Sequence, residues 1–237
     1  MRDSCTMQKV IIMGASSGIG REIALQLARQ GNHIAITGRR KHLLEEIKDQ
    51  SPEQILYAVI DHTKVSSLAQ NLDELSKQLG GLDLLILCSG TGDINHELDF
   101  EVEERTIDLN VTGFTRIADW TMAYFQKQNY GQFAAITSVA GMTGSHVAPA
   151  YNASKAYQIN YLSGIRKKME KLQLPIYITD IRPGFVDTDM AKGEGKFWVA
   201  PVKKAVSQII TALKAKKKLV YITKRWRMIG FVFRLIT

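Results

Sequence analysis

Residues 9–20 read KVIIMGASSGIG, and this stretch decides how the chain folds. The run from Val10 to Met13 is apolar without alternation, which predicts a strand buried on both faces of a parallel sheet. The glycines allow a tight turn, and the amphipathic segment after them predicts a helix. A glycine-rich turn at this position is typical of a dinucleotide site, because the helix N-terminus offers unpaired N–H groups to a pyrophosphate. The alternative is a plain loop rich in glycine and serine.

Short apolar runs alternate with longer amphipathic segments along the chain. The predicted strands are Val10–Met13, His33–Gly38, Ile55–Asp61, Leu82–Ser89, Gln132–Ser138, Ile176–Arg182 and Leu219–Thr223. The predicted helices are Ile19–Gln30, Lys41–Lys48, Val65–Leu79, Phe100–Lys127, Tyr151–Leu172 and Val202–Lys217. Repeated strand–helix–strand units with right-handed crossovers build a parallel sheet covered on both sides. We therefore predict an α/β fold with a Rossmann-like, doubly wound parallel sheet of seven strands and helices on both faces, in one dinucleotide-binding domain over residues 1–223.

The positive charge of the chain is concentrated near its end. The 237 residues carry a net charge of +8, but residues 1–194 carry −3 and residues 195–237 carry +11. This distribution excludes a basic surface over the whole protein, and we predict no nucleic-acid partner. Two cysteines cannot form a disulfide scaffold or a multi-thiolate metal site, so no metal is predicted. No signal peptide is visible, and a cytoplasmic location is expected.

Residues 224–237 predict a short basic amphipathic helix. In helical geometry Trp226, Ile229, Phe233 and Ile236 share one face. The helix is about 20 Å long, too short to cross the ~30 Å hydrocarbon core of a bilayer. It either lies peripherally at an anionic membrane surface, or packs on the body or on another subunit with its arginines reaching solvent.

The end of the second predicted strand indicates which dinucleotide is bound. Arg39 and Arg40 stand there, and no acidic residue does. A carboxylate would bind the ribose hydroxyls of NAD, whereas an arginine holds a 2′-phosphate with charge-assisted hydrogen bonds. We therefore predict NADP(H), with Arg39 as the first phosphate ligand and Arg40 either stacking on the adenine or helping to bind the phosphate. The alternative is a solvated basic start of a helix.

Tyr151 and Lys155 are four residues apart in a predicted helix, which places both on one face. A nearby cation favours the phenolate, so we expect Lys155 to lower the pKa of Tyr151 from about 10 toward neutrality. Such a tyrosine exchanges a proton with an alcohol or a ketone. Ser138 ends the predicted fifth strand, at the sheet edge where such folds bind ligands. Asn110 is an unfavourable residue for the middle of a helix, which points to a specific role or to a solvent-facing side chain.

Together these residues resemble the classical short-chain dehydrogenase/reductase family. The resemblance runs from Lys9 to about Thr223. The matching motifs are Gly14-x3-Gly18-x-Gly20, Asn110, Ser138, Tyr151-x3-Lys155 and Pro183-Gly184. It implies a hydride-transfer site in which Tyr151 is the general acid or base. Lys155 would bind the nicotinamide ribose, Ser138 would bind the substrate oxygen, and Asn110 would help to hold a water in a proton relay through Lys155.

The resemblance adds further cofactor contacts to those derived from the turn and the arginines. The full predicted set is Gly14, Ser16, Ser17, Gly18, Ile19, Gly20, Arg39, Arg40, Asp61, Ser89, Gly90, Tyr151, Lys155, Pro183, Gly184, Val186 and Thr188. Two positions depart from the family pattern. Met13 stands where threonine is usual, and Leu87-Cys88-Ser89-Gly90 replaces the usual Asn-Asn-Ala-Gly.

The loop after Pro183 carries Phe185, Met190, Phe197 and Trp198, which either line an apolar substrate pocket or anchor the loop in the core. Met142 and His146 are expected near the substrate mouth. We predict an NADP(H)-dependent oxidoreductase that interconverts a ketone and a secondary alcohol, with a lipophilic substrate of sphingoid, steroid or fatty-chain type. The alternatives are a reductase of small polar ketones or sugars and a non-catalytic NADP-sensing scaffold. A homodimer or homotetramer is expected.

Overall fold

The strands of the described chain form a single parallel sheet. A computed structural model describes residues 7–190 and 197–228. The strands are β1 (Lys9–Met13), β2 (His33–Gly38), β3 (Ile55–Val59), β4 (Leu84–Leu87), β5 (Gly131–Ile136), β6 (Ile176–Pro183) and β7 (Leu219–Ile222). Their order is β3-β2-β1-β4-β5-β6-β7, with every neighbouring pair parallel. The predicted doubly wound sheet of seven strands is confirmed.

Helices cover both faces of the sheet. They are α1 (Gly18–Arg29), α2 (Lys41–Asp49), α3 (Val65–Gln78), α4 (Phe100–Ile107), α5 (Phe114–Gln128), α6 (Pro149–Lys171) and α7 (Val202–Lys214). Alternate side chains of one strand enter two separate cores. On β1, Ile12 packs in the core that includes Ile23 and Ile209, and Ile11 packs in the core that includes Leu72 and Phe125. Burial on both faces explains why the strands read as continuous apolar runs.

The order of the strands reverses at β1, which lies between β2 and β4. Sheets of this type bind ligands at such a switch point, outside the carboxyl ends of the strands. The topology therefore brings the glycine-rich turn after β1 and the loops after β2 and β4 to one crevice.

The prediction of one continuous helix over Phe100–Lys127 is wrong. Residues 100–127 form α4 and α5 with a π-helical turn, Asp108–Gly113, between them. Gly113 shows why the path changes here, because a Cβ on this residue would clash with the backbone carbonyl of His62. The extra residue in the π turn moves the helix against the loop after β3 and turns Asn110 fully inward. Strands β3 and β5 also end two residues earlier than predicted, at Val59 and Ile136.

The segment after β7 begins by packing on the body. Trp226 is 4% exposed, and its indole lies directly against Gly184 and among Phe185, Phe197 and Trp198. For Trp226, packing on the body of the protein is therefore the correct alternative, and its buried indole cannot form part of a membrane-facing surface. The rest of the predicted amphipathic helix, residues 229–237, lies outside the described residues. In residues 7–190 and 197–228, no helix combines the length and apolar content needed to cross a bilayer.

Candidate active site

The turn between β1 and α1 is shaped by two glycines. Gly14 has a φ of 85°, and a Cβ there would lie 2.6 Å from the backbone nitrogen of Ser89. Gly20 on α1 leaves no room for a Cβ against the carbonyl oxygen of Gly14. The turn is fixed to β2, because the N–H groups of Gly14 and Ala15 both donate to Thr37 O. These close approaches form the floor of a crevice, as a dinucleotide site requires.

A cleft of about 350 Å³ opens above the carboxyl ends of β1, β2 and β4. Twelve of the seventeen predicted cofactor residues line it: Gly14, Ser16, Ser17, Gly18, Ile19, Gly20, Arg39, Arg40, Asp61, Ser89, Gly90 and Thr188. The predicted residue Lys155 borders the cleft, because an ideal Cβ on the lining residue Gly90 would be 3.3 Å from Lys155 Nζ. The ring of Tyr151 lies beyond it, with its centroid 5.8 Å from Lys155 Nζ.

The two arginines after β2 have different contacts. Arg40 donates from Nη2 to Ser16 Oγ and Ser17 Oγ, both at 2.8 Å, and so closes over the glycine turn. Arg39 lies beside Asp61 instead. Burial alone would raise the pKa of Asp61, but hydrogen bonds from Thr63 and the positive charge of Arg39 bring the pKa below its usual value. Both arginines face the cleft, with Arg40, the predicted helper, closer to the turn.

His62 is a buried group that the sequence did not indicate. Its side chain lies under the cleft, with Nε2 2.9 Å from Thr37 Oγ1. Burial lowers the pKa of His62 to about 4, opposed by Asp61 and assisted by Arg39. The imidazole is therefore neutral at pH 7 and supports the loop after β3.

Tyr151 is packed between Gly92 and Ser138. Gly92 lies so close to the phenol ring that a Cβ there would overlap it. Burial raises the pKa of Tyr151, and a hydrogen bond with Ser138 partly opposes that rise. The expected net fall of the pKa of Tyr151 toward neutrality is wrong for this arrangement, because burial outweighs the groups that favour the phenolate. Lys155 Nζ lies 5.8 Å from the ring centroid and makes its hydrogen bonds elsewhere.

Lys155 is only 3% exposed. Its Nζ donates to Ile136 O at 3.1 Å and to Gln158 Oε1 at 3.0 Å. Burial lowers the pKa of Lys155 to about 8, and the negative charge of Asp180 limits the fall. Burial also raises the pKa of the Cys88 thiol to about 12, so this cysteine is protonated and acts as a small core side chain.

Asp180 belongs to a second buried polar group, on β6. Its carboxylate lies 2.7 Å from Arg182 and accepts a hydrogen bond of 2.6 Å from Thr137. Removing one partner of such a pair is costly because the other charge stays buried. The pair therefore fixes the edge between β5 and β6 on which Ser138 and Lys155 depend.

Asn110 fastens the loop after β4 to the π turn. Its Nδ2 donates to Thr91 O and to Ser154 Oγ, and its Oδ1 accepts from Thr91 N. The Asn110 backbone carbonyl accepts from Gln158 Nε2 at 2.8 Å. The solvent-facing alternative for Asn110 is wrong, because the residue is fully buried. Its role in a proton relay stays a prediction. Sequence reasoning missed Gln158, although its position three residues after Lys155 puts both on one helix face.

The loop after β6 holds the other predicted residues. Thr188 lines the cleft, and its hydroxyl donates to Val186 O at 3.3 Å. Val186 itself is buried in the core. Pro183 ends β6, and Gly184 lies beneath the indole of Trp226. The contacts predicted for Pro183, Gly184 and Val186 stay predictions.

Three aromatic residues of this loop pack mainly on each other. Phe185 and Phe197 contact one another and Trp226, and Trp198 joins them. The cluster thus anchors the loop, which was one of the two alternatives predicted for these residues. Phe197 and Trp198 remain 48% and 44% exposed, so one side of the cluster faces solvent. Met190 lines the cleft, His146 is exposed, and Met142 accepts a hydrogen bond from Tyr221.

The profile of the short chain dehydrogenase family matches residues 8–197 of this sequence. The chain belongs to that family. An uncharacterized oxidoreductase of Staphylococcus epidermidis is 31% identical over 189 residues, which cover 77% of this chain and 80% of that protein. An uncharacterized oxidoreductase of Myxococcus xanthus is 30% identical over 185 residues, covering 76% and 72%.

Two solved structures show the same fold at low sequence identity. A short-chain dehydrogenase from Streptomyces avermitilis has a TM-score of 0.84 and 20% identity, covering 96% of this chain and 91% of its own. A short-chain dehydrogenase/reductase from Burkholderia phymatum, solved in complex with NAD, has a TM-score of 0.85 and 16% identity, covering 94% and 92%. This oxidoreductase family uses a nicotinamide cofactor, and the cleft described above fits one, because its glycines leave the backbone bare where a pyrophosphate needs it.

No group of three or more histidine, cysteine, aspartate or glutamate side chains within residues 7–190 and 197–228 is arranged to hold a metal ion.

The burial of His62 predicts a specific loss of stability in acid. The unfolded chain binds a proton on this histidine near pH 6.5, and the folded chain does so only near pH 4. Stability is therefore complete above pH 6.5 and falls by about 3 kcal/mol as the pH drops to 4. We expect His62→Gln to remove most of this fall in urea titrations at pH 7, 5.5 and 4. His33→Gln, at an exposed position, serves as the control, and an unchanged pH dependence in His62→Gln contradicts the assignment.

Proposed function

We propose that this chain is an NADP(H)-dependent oxidoreductase that reduces a ketone to a secondary alcohol. The observation that carries the proposal is the meeting of Tyr151, Ser138 and Lys155 beside the cleft. A proton donor, a hydroxyl partner and a buried ammonium beside a cofactor cleft are the groups that carbonyl reduction needs. A non-catalytic NADP-sensing scaffold has no use for this combination.

In this reaction the bound nicotinamide would supply a hydride to the carbonyl carbon. Tyr151 donates its phenolic proton to the carbonyl oxygen, which becomes the hydroxyl of the product. The raised pKa of Tyr151 keeps the phenol protonated at neutral pH, so the donor is ready before the substrate arrives. Ser138 stabilises the developing negative charge on the oxygen, and the Lys155 ammonium stabilises the phenolate that remains.

Two contacts support a preference for NADP(H) over NAD(H). Arg40 is held by Ser16 and Ser17 at the glycine turn, on the wall of the cleft, where its guanidinium would be available to a phosphate. Arg39 adds a second positive charge at the same end of the cleft. Asp61, a carboxylate on the wall of the cleft, is itself held by hydrogen bonds from Thr63 N and Oγ1.

A lipophilic substrate of sphingoid, steroid or fatty-chain type is the favoured class. Exposed apolar residues stand on two loops: Ile94 and Leu98 on the loop whose Gly92 contacts Tyr151, and Met190 and Phe197 on the loop after β6. Exposed apolar surface next to a concave site favours an apolar ligand. Small polar ketones or sugars are the second candidate class, since the polar lining of the cleft would also suit them.

The oligomeric state and the location of the protein are predicted from the sequence alone. A homodimer or homotetramer, a cytoplasmic location and a peripheral membrane contact through residues 224–237 stay predictions.

Tyr151→Phe is expected to reduce NADPH-dependent ketone reduction at least a hundredfold, because phenylalanine has no proton to donate. Turnover is followed by NADPH absorbance over a panel of ketones. Tyr157→Phe is the matched control, since it makes the same change on the same helix, where the hydroxyl contacts only Thr115 among the described residues. Similar losses in both variants, or activity retained in Tyr151→Phe, argue against the proposed proton donor.

Arg40→Ala and Arg39→Ala should each weaken NADPH binding about tenfold to a hundredfold, because each removes charge-assisted hydrogen bonds to a phosphate. NADH binding should change less than twofold. Fluorescence titration of both cofactors measures the ratio, with exposed Arg29→Ala as the control. If NADH affinity falls as much as NADPH affinity, the phosphate assignment is wrong.

A lipophilic substrate predicts that kcat/KM for methyl ketones rises by about threefold to fourfold per methylene, the free energy of burying one CH₂ group. Phe197→Ala should flatten this dependence, whereas Tyr177→Ala, at an exposed site at the start of β6, should not. A series from four to twelve carbons measures the slope. A flat series, with better turnover of hydroxylated ketones, would favour the small polar class.

A further inference from the structure

Gln158 lies on α6, three residues after Lys155, and is 1% exposed. Its side chain makes one contact on each side. Oε1 accepts a hydrogen bond from Lys155 Nζ at 3.0 Å, and Nε2 donates to the backbone carbonyl of Asn110 at 2.8 Å. A buried glutamine that spans two site residues in this way satisfies polar groups that are costly to leave unpaired.

The contacts of the Lys155 ammonium show what this bridge achieves. An ammonium has three N–H donors. One points to Ile136 O and one to Gln158 Oε1. The third is left for the cleft, on whose wall Gly90 leaves Nζ uncovered. The hydrogen bond to Gln158, together with the one to Ile136 O, therefore leaves a single N–H donor of the Lys155 ammonium, which is directed toward the cleft.

The other end of the bridge is equally fixed. The Asn110 side chain is held by Thr91 and Ser154, so the carbonyl that Gln158 reaches belongs to a rigid π turn. Gln158 therefore connects a fixed point of the backbone to the only buried lysine of the described chain.

We propose that Gln158 is a positioning residue of this active site: its carboxamide spans the distance from the Asn110 carbonyl to the Lys155 ammonium and aims that ammonium at the cofactor cleft. The family resemblance implies that Asn110 helps to hold a water in a relay through Lys155, whereas here the Gln158 carboxamide joins the Asn110 carbonyl to Lys155 directly. A carboxamide differs from a water in being covalently fixed and in donating on one side while accepting on the other. This inference rests on the proposed function, in which the Lys155 charge stabilises the Tyr151 phenolate.

The charged and titratable groups that face Lys155 are few. Asp180 acts on it from β6, Cys88 from the end of β4, and Tyr151 from its own helix. Gln158 also contacts the ammonium but carries no charge. Replacing its oxygen with an apolar group removes an acceptor from the ammonium, and replacing its nitrogen with a carboxylate oxygen adds a negative charge. The two changes must move the titration of Lys155 in opposite directions.

The experiment compares Gln158→Met, Gln158→Glu and the wild-type chain. For each, kcat/KM of ketone reduction and the Kd of NADPH are measured from pH 6 to pH 10. The alkaline limb of the wild type is expected near pH 8. It should move down by about one pH unit in Gln158→Met, which loses a hydrogen bond to a charged group, and up by a similar amount in Gln158→Glu.

Gln132→Met is the matched control. Gln132 is also buried, on β5, and its Nε2 bonds to Leu213 O at 3.1 Å, away from the cleft. This variant should lose thermal stability without moving either pH profile. Equal losses at every pH in both Gln158 variants, or shifts of the same sign, would show a merely structural glutamine and overturn the inference.

The outcomes also separate the inference from the proposed function. If the wild type turns over no ketone, the proposed function fails, and the pH dependence of NADPH binding still decides the role of Gln158. If the wild type reduces ketones and the profiles do not move, the inference alone fails. Should Gln158→Met not fold, the absence of an upward shift in Gln158→Glu overturns the inference by itself.

Discussion

The burial of one ammonium, that of Lys155, is the constraint on which the site depends. A charged group taken out of water is stable only if polar partners replace its hydration. Here those partners come from three parts of the chain: Ile136 O at the end of β5, Gln158 on the same helix, and the carboxylate of Asp180 acting through space from β6. Each partner must be held in place, and much of the surrounding structure serves that end.

Asp180 illustrates how far this requirement extends. Its carboxylate is itself buried and is compensated by Arg182 and by the hydroxyl of Thr137. Arg182 in turn lies over the ring of Tyr221 on β7. A chain of polar contacts therefore runs from the edge strand of the sheet to the ammonium. Such networks are stabilising only when every member is satisfied, which ties the position of Lys155 to the packing of three strands.

Much of the fold can be predicted from the sequence, because a strand that is buried on both faces appears as a continuous run of apolar residues. Continuous apolar runs such as Val10–Met13 can only be interior strands, and the glycine turn after them marks the switch point. The cleft residues follow as well, since Gly14, Arg39 and Gly90 stand directly after strands. Local spacing also relates Tyr151 to Lys155, because a helix places residues four apart on one face.

What local spacing cannot predict is a contact set by the tertiary path. The π turn at Asn110 depends on the approach of Gly113 to the backbone of His62, which lies fifty residues earlier in the chain. Gln158 looks like an ordinary polar helix residue until the π turn places a carbonyl beside it. Trp226 has the periodicity of an amphipathic face, yet its indole is buried on Gly184. The pKa of Tyr151 depends on burial, which outweighs the lysine four residues away.

The opposite pKa shifts of Tyr151 and Lys155 bear on the direction of the proposed reaction. A base for alcohol oxidation requires a phenolate beside a charged ammonium. Burial raises the pKa of Tyr151 above its ordinary value of about 10 and lowers that of Lys155 to about 8. As the pH of the free protein rises, the lysine loses its proton before the tyrosine, so the phenolate beside a charged ammonium arises only when Tyr151 has given its proton to a substrate. Below pH 8 the same groups provide a protonated phenol beside a charged lysine, which is the state that donates a proton to a ketone. The burial that fixes the site therefore leaves its resting groups in the state that donates a proton, which is the direction proposed above.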